Sequence, residues 1–220
     1  MNEKLYIEWA YKEVKKFLPN EKITKDWLPN WSTTLTAIRK VHGIFETAAI
    51  IFSKSSFLGL LYRGNASDSG WKDFKYFVDK FFKSEYVNLH KISTNLEVNS
   101  EIYSVFRNRI LHNGQPVGIL DGHEIIGWWM GYGSNLRKNH LKIDRNDNLN
   151  IHCGLLIEDF LQAVQSYAKY LEEDSDGSIN HSKPSERWYT AFWSTFCPLY
   201  YDKAKWVKKW QLLEREIKVR

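Results

Sequence analysis

Apolar side chains return every three or four positions along much of this chain, the spacing that lays one stripe along an α-helix. Leu35, Ile38, His42, Phe45, Ala49 and Phe52 form one stripe, and Phe74, Phe77, Val78 and Phe81 form the next. On that spacing His42 is expected among core residues rather than at a site. The polar run Gly64-Asn65-Ala66-Ser67-Asp68-Ser69-Gly70 separates the two stripes and predicts a loop that caps the second helix. A further helix is predicted from about Asn99 to Asn113, stopped by Gly114 and Pro116. Another follows Gly154, with Leu156, Phe160, Val164, Tyr167 and Leu171 on one face. Before all of these, Glu3 to Phe17 reads as an N-terminal helix ending ahead of Pro19.

The texture changes between the helices on either side of residues 114–154. Gly127, Gly131 and Gly133 surround Trp128 and Trp129, and alternation in Leu141 to Asp144 and Leu149 to His152 predicts a small hairpin across Arg145-Asn146-Asp147-Asn148. Asp174 to Glu186, rich in Ser, Asp and Gly and containing Pro184, reads as a linker. Two short amphipathic helices are expected after it, one with Trp188, Phe192 and Phe196, the other with Trp206, Trp210, Leu213 and Ile217. The fold class is therefore mainly α, an antiparallel helical bundle with a small β-hairpin insertion and a C-terminal helical appendage. The organisation is a single domain over residues 1–220, with a helical core over 30–175 and a Trp-rich appendage over 186–217.

Length and charge narrow this picture without changing it. A chain of 220 residues with 43% hydrophobic residues can bury one sizeable core. Its longest apolar runs, Ala48 to Phe52 and Phe57 to Tyr62, fall short of the roughly 18 apolar residues of a membrane span. Around Glu3, Lys4 and Glu8 there is no apolar leader pattern. The expected setting is cytoplasmic, with no membrane partner. Formal net charge is +5, and Tyr201 to Arg220 carries seven basic residues against three acidic ones. Such a balance permits contact with a polyanion without requiring it. Cys153 and Cys197 have no metal-ligand spacing between them and read as buried free thiols. Gly131-Tyr132-Gly133 reads as a turn beside a strand, and no phosphate loop, dinucleotide fingerprint or histidine pair for zinc is present.

One segment carries candidate chemistry: Phe106-Arg107-Asn108-Arg109-Ile110-Leu111-His112-Asn113-Gly114. At about 100° per residue, Ile102, Tyr103, Phe106 and Ile110 share one quadrant, the expected core face. Asn108 and His112 point the other way, one turn apart, and Glu101 falls on their stripe as an accessory group. Arg107 projects to the side. Read by itself, His112 also fits a solvated histidine complementing a helix C-terminus, and Arg107 a surface ion-pair partner.

Arg107, Asn108 and His112 resemble the signature of the HEPN superfamily, small helical bundles in which an arginine, usually followed by a polar residue, precedes a histidine by a few positions. The resemblance is specific for the motif helix and loose over residues 30–175. It implies a metal-independent endoribonuclease of defence or toxin type, acting as a homodimer in which two Arg/Asn/His sets form one composite cleft. RNA is then the substrate, no cofactor is needed, and an antitoxin or defence-system protein is a possible partner. Members paired with a nucleotidyltransferase antitoxin commonly have a tyrosine two positions after the histidine. Here that position is Gly114, which disfavours that subtype. The alternatives left open are a non-catalytic HEPN-type module that binds nucleotide, nucleic acid or a partner protein, and a basic Trp-rich adaptor in which Arg107 and His112 are incidental. Trp188, Trp193, Trp206 and Trp210 can stack on bases but are expected to pack onto the bundle. Arg137, Lys138, Lys142 and Arg145 form a second basic cluster near the hairpin, and His90, His123, His140, His152 and His181 lack helical partners.

Overall fold

Helices make up most of the computed structural model, which describes residues 18–64, 70–88, 118–120, 124–126, 128–142, 144, 145, 148–172, 185, 187–189, 191 and 192. The first helical stretch runs in three joined pieces: α1 (Pro19–Glu21), a π-helical turn (Lys22–Trp27) and α2 (Leu28–Lys40). Pro29 sits inside this stretch, where a proline has no N–H to give and its ring collides with the carbonyl one turn back. The wider turn ahead of it relieves that collision. The two prolines conceal this helix from a periodicity reading, which therefore begins it too late.

The stripe from Leu35 to Phe52 is broken in space. Helix α2 stops at Lys40 and α3 (Ile44–Arg63) starts afresh, with Val41 to Gly43 between them. His42 takes the left-handed conformation at φ 54°, while the Gly43 N–H returns to the Ile38 carbonyl at 3.0 Å. The expectation that His42 is a core residue is thus overturned: it is exposed, and Phe45 is 42% exposed. The 3–4 spacing runs unbroken through the turn by coincidence.

Within α3 the two apolar runs of the sequence become one helix. By length and composition alone it could cross a membrane, yet Ala48, Ile51, Phe52, Leu58 and Leu61 are buried within the fold. It packs on α4 (Gly70–Phe81) so closely that a Cβ at Gly59 would lie 1.8 Å from the Asp73 carbonyl oxygen, so no other residue fits there. Phe74, Phe77 and Val78 are buried as their spacing predicts. An Arg63–Asp73 ion pair of 2.7 Å, with both side chains largely shielded, ties the end of α3 to the start of α4.

After α5 (Ser84–Asn88), the described chain resumes with an antiparallel ribbon of β1 (Gly118–Leu120) and β2 (Glu124–Ile126). Strand β3 (Trp128–Gly131) follows, then the short helix α6 (Ser134–Lys138). The predicted hairpin forms in outline: the Leu141 N–H reaches the Asn150 carbonyl, Asn150 N–H returns to Lys142, and Asp144 N–H meets Asn148. Its second arm, β4 (Leu149–His152), also pairs in parallel with β3, Trp129 opposite Asn150 and Gly131 opposite His152. The sequence predicts the hairpin arms and a strand beside Gly131-Tyr132-Gly133, which β3 matches, but not how the strands pair. The β1–β2 ribbon and the parallel pairing of β3 with β4 are additions.

Helix α7 (Cys153–Glu172) runs straight on from β4, and Leu156, Phe160, Val164, Tyr167 and Leu171 are all buried, as their stripe predicts. Around it gathers an aromatic core. Tyr167 meets the rings of Phe77 and Phe81 at 5.7 and 5.0 Å, and Phe160 meets Trp31 at 5.8 Å. The helical residues near Trp188 pack here too: Trp188 is fully buried, stacked on Phe192 at 4.6 Å and against Trp27 at 5.9 Å. Arg187 fastens this piece by donating from Nε to the Tyr62 carbonyl at 3.1 Å and from a terminal nitrogen to the Tyr170 hydroxyl at 3.2 Å. For Trp188, packing onto the helical core is the reading that holds. Trp193, Trp206 and Trp210 lie outside the described residues, as do the segments predicted as an N-terminal helix and as a helix from Asn99 to Asn113, and most of the predicted linker.

Candidate functional site

The side chains on which sequence reasoning places catalysis, Arg107, Asn108 and His112 with Glu101 beside them, lie outside the described residues. So do Cys197 and the basic C-terminal segment. What the structure describes is the polar end of the molecule, where α5, α6, β4 and the start of α7 converge.

Asp159 is the centre of this end. It belongs to the buried stripe of α7, between Leu156 and Phe160, and is 3% exposed. A carboxylate in that position requires compensation. Tyr86 of α5 donates its hydroxyl to Oδ2 at 3.1 Å, Lys83 forms an ion pair with Oδ1, and His140 Nε2 lies 3.6 Å from Oδ2. Burial alone would raise the Asp159 carboxyl, but His140, Lys83 and Tyr86 outweigh it and hold the carboxyl below its ordinary range. Burial, then the Asp159 charge, pushes the Tyr86 phenol well above its usual value.

Both histidines of this end have their tautomers set by backbone amides. The His152 N–H donates to His140 Nδ1 at 3.0 Å, so His140 carries its proton on Nε2, 3.2 Å from the Tyr86 hydroxyl. His152 in turn accepts the Leu155 N–H on Nδ1 at 3.1 Å and donates from Nε2 to the Tyr132 carbonyl at 3.2 Å. It therefore caps α7 with an imidazole where Ser, Thr, Asp or Asn is usual. Burial lowers its pKa, the Tyr132 carbonyl partly opposes this, and Arg137, His140 and Arg39 add to the lowering. Gly154 makes room for the folded-back ring: a Cβ there would sit 2.8 Å from His152 Cε1.

This arrangement fixes geometry rather than offering reactive groups. Neither imidazole in its neutral form has a lone pair left over for an external proton, and Asp159 is enclosed. Cys153, the first residue of α7, is buried, and burial pushes its thiol up to about 12, which leaves it without nucleophilic character at neutral pH. Among the described residues no three His, Cys, Asp or Glu side chains gather as metal ligands.

Sequence reasoning passed over His140 and His152 because their partners are not on one helix. The available signal was Asp159, a carboxylate at an apolar position of an otherwise regular stripe. The basic cluster noted in the sequence is solvent-facing: Arg137, Lys138, Lys142 and Arg145 are all exposed, on α6 and on the hairpin arm that follows it. No family model matches this chain, and no curated protein or solved structure matches it either.

Proposed function

We propose that the chain is a metal-independent endoribonuclease of HEPN type, working in the cytoplasm as a homodimer of antiparallel helical bundles. The observation that carries this reading is the Arg107-Asn108 pair followed by His112, at a spacing that on a helix would set Asn108 and His112 opposite Ile102, Tyr103, Phe106 and Ile110. A mainly helical fold and an exposed basic cluster at the polar end support it.

In this reading the His112 imidazole takes the proton from an RNA 2′-hydroxyl or returns one to the leaving 5′-oxygen, tasks suited to a group titrating near neutrality. Arg107 holds the scissile phosphate and offsets the charge that grows on it. Asn108 orients the phosphate or the ring, and Glu101 is accessory. The 2′-oxygen attacks phosphorus as the P–O5′ bond breaks, so the products are a 2′,3′-cyclic phosphate and a 5′-hydroxyl. An antitoxin or defence-system protein is the expected restraint on such an activity.

Purified protein incubated with total RNA in excess chelator should cut it, and His112→Ala or Arg107→Ala should slow cutting by at least about a hundredfold with the unfolding midpoint unchanged. Equal cutting by wild type and both variants would refute the assignment. RNA that is bound but left intact would place the chain among non-catalytic HEPN-type binding modules instead.

A further inference from the structure

Trp129 is the exposed aromatic residue that the fold leaves unexplained. It lies on β3 opposite Asn150, and 57% of it is open to solvent, more than Tyr76 or Phe45, the other well-exposed aromatic residues among those described. An indole on a short strand could have been turned inward. Instead it forms one wall of a cleft of about 480 Å³, within the size range of small-ligand sites. Lys142 and Arg145, both exposed, line the same cleft, with Asn135, Asn139, Asp144 and Asn150 completing the polar lining.

The polar lining is held in place. Asn139 Nδ2 donates to the Asn135 carbonyl and to its side-chain oxygen, both at 3.1 Å. Asp144 accepts from the Asn148 N–H at 3.0 Å and from its amide, which closes the hairpin turn and occupies part of the one carboxylate in the cleft. Lys142 Nζ reaches only the Lys138 carbonyl, at 3.3 Å, and neither Lys142 nor Arg145 has an ion pair with a described residue. Arg137 and Lys138 lie in the last turn of α6, the helix that carries Asn135.

An aromatic platform, two uncommitted cations and amides able to donate and accept are together the means by which single strands are bound: bases stack on the ring while phosphates meet the charges. We propose that the Trp129 cleft binds a segment of single-stranded nucleic acid, one base stacking on the indole and the flanking phosphates held by Lys142 and Arg145. The site stands on its own geometry, and its identification with the RNA substrate rests on the ribonuclease reading. A duplex, whose bases are already stacked on one another, has no face to offer the ring.

The test uses the full chain carrying His112→Ala, so that the probe survives, and a fluorescein-labelled oligouridylate followed by anisotropy. Trp129→Ala should weaken binding by about ten- to a hundredfold, Trp129→Phe should restore most of it, and Arg145→Ala should reduce the salt slope by about 0.7. A duplex of equal length should bind at least tenfold more weakly. The oligodeoxyuridylate, if bound as well as RNA, supports the cleft and leaves the choice of sugar to the cutting chemistry. Undiminished binding by a folded Trp129→Ala protein, equal binding of duplex, or no binding of either strand would overturn the proposal. The two readings fail separately. Trp129-dependent binding by a wild-type chain that never cuts RNA removes the nuclease and keeps the cleft, whereas cutting with Trp129-independent binding does the reverse.

Discussion

Along α7 the first two turns are seated by hydrogen bonds and ion pairs, whereas the turns from Phe160 onward rest on rings. At the polar end each contact has a direction: His152 Nδ1 must face the Leu155 N–H, and Tyr86 must aim at Asp159. At the aromatic end Trp31 meets Phe160, and Phe77, Phe81 and Tyr167 meet one another, at ring separations of 5.0 to 5.8 Å and at several tilts, so many small contacts share the load. The first region is specific and sensitive to protons. The second is strong, and ionisation barely touches it. A helix anchored in both ways has its position set by the rings and its rotation set by the polar contacts.

Breaking the aromatic end should have the largest effect. Trp188 is fully buried against Trp27 and Phe192, and Trp188→Ala should cost about 3–5 kcal/mol, read from urea unfolding at neutral pH. The loss should be nearly the same at pH 5, because the rings of Trp27, Trp188 and Phe192 carry no group that titrates there.

Asp159→Asn should cost less at neutral pH, about 2 kcal/mol, by weakening the buried contacts that Tyr86 and His140 make with the carboxylate. Its signature is the pH dependence. The folded-state carboxyl is held below its ordinary value of about 3.9, so the stability it gives is present above that value and is lost as pH falls through the lower folded-state value. The unfolding curves of wild type and the Asp159→Asn variant should therefore converge in strong acid.

The smallest effect sharpens the contrast at the helix start. The His152 pKa is lowered in the fold, so its contribution is complete above about 6.5 and declines as pH drops below that, when the unfolded chain takes up the proton first. The His152→Asn substitution, which keeps an acceptor for the Leu155 N–H, should cost under about 1 kcal/mol at pH 7.5 and flatten the melting temperature between pH 7 and 5. If the variant is as acid-sensitive as wild type, His152 is not the group responsible.

How much of this could be read from the chain differs between the same two regions. The aromatic end was legible because its information is periodic: Phe74, Phe77, Val78, and the α7 stripe from Leu156 to Leu171, each specify a face without reference to anything distant. The polar end was not, since Lys83 with Tyr86, His140 and Asp159 come from three separate segments and only the fold makes them neighbours. The parallel pairing of β3 is illegible for the same reason, its partner β4 lying beyond α6 and the first hairpin arm. The break at His42 was hidden by spacing that stayed helical across a turn, and the α1–α2 stretch by prolines that usually end a helix. Of the candidate chemistry, the Arg107, Asn108 and His112 set remains a reading of sequence, while Trp129 drew attention only as part of a glycine-rich patch until its exposure was known.

One joint in this architecture has a mechanical meaning. Strand β4 passes into α7 with no intervening residue, and its last side chain, His152, is clamped to the first turn of the helix and to the loop after β3. There is no slack at this elbow. Trp129 pairs with Asn150, two residues ahead of this joint, so a ligand seated on the indole would lie one strand away from the first turn of the long helix.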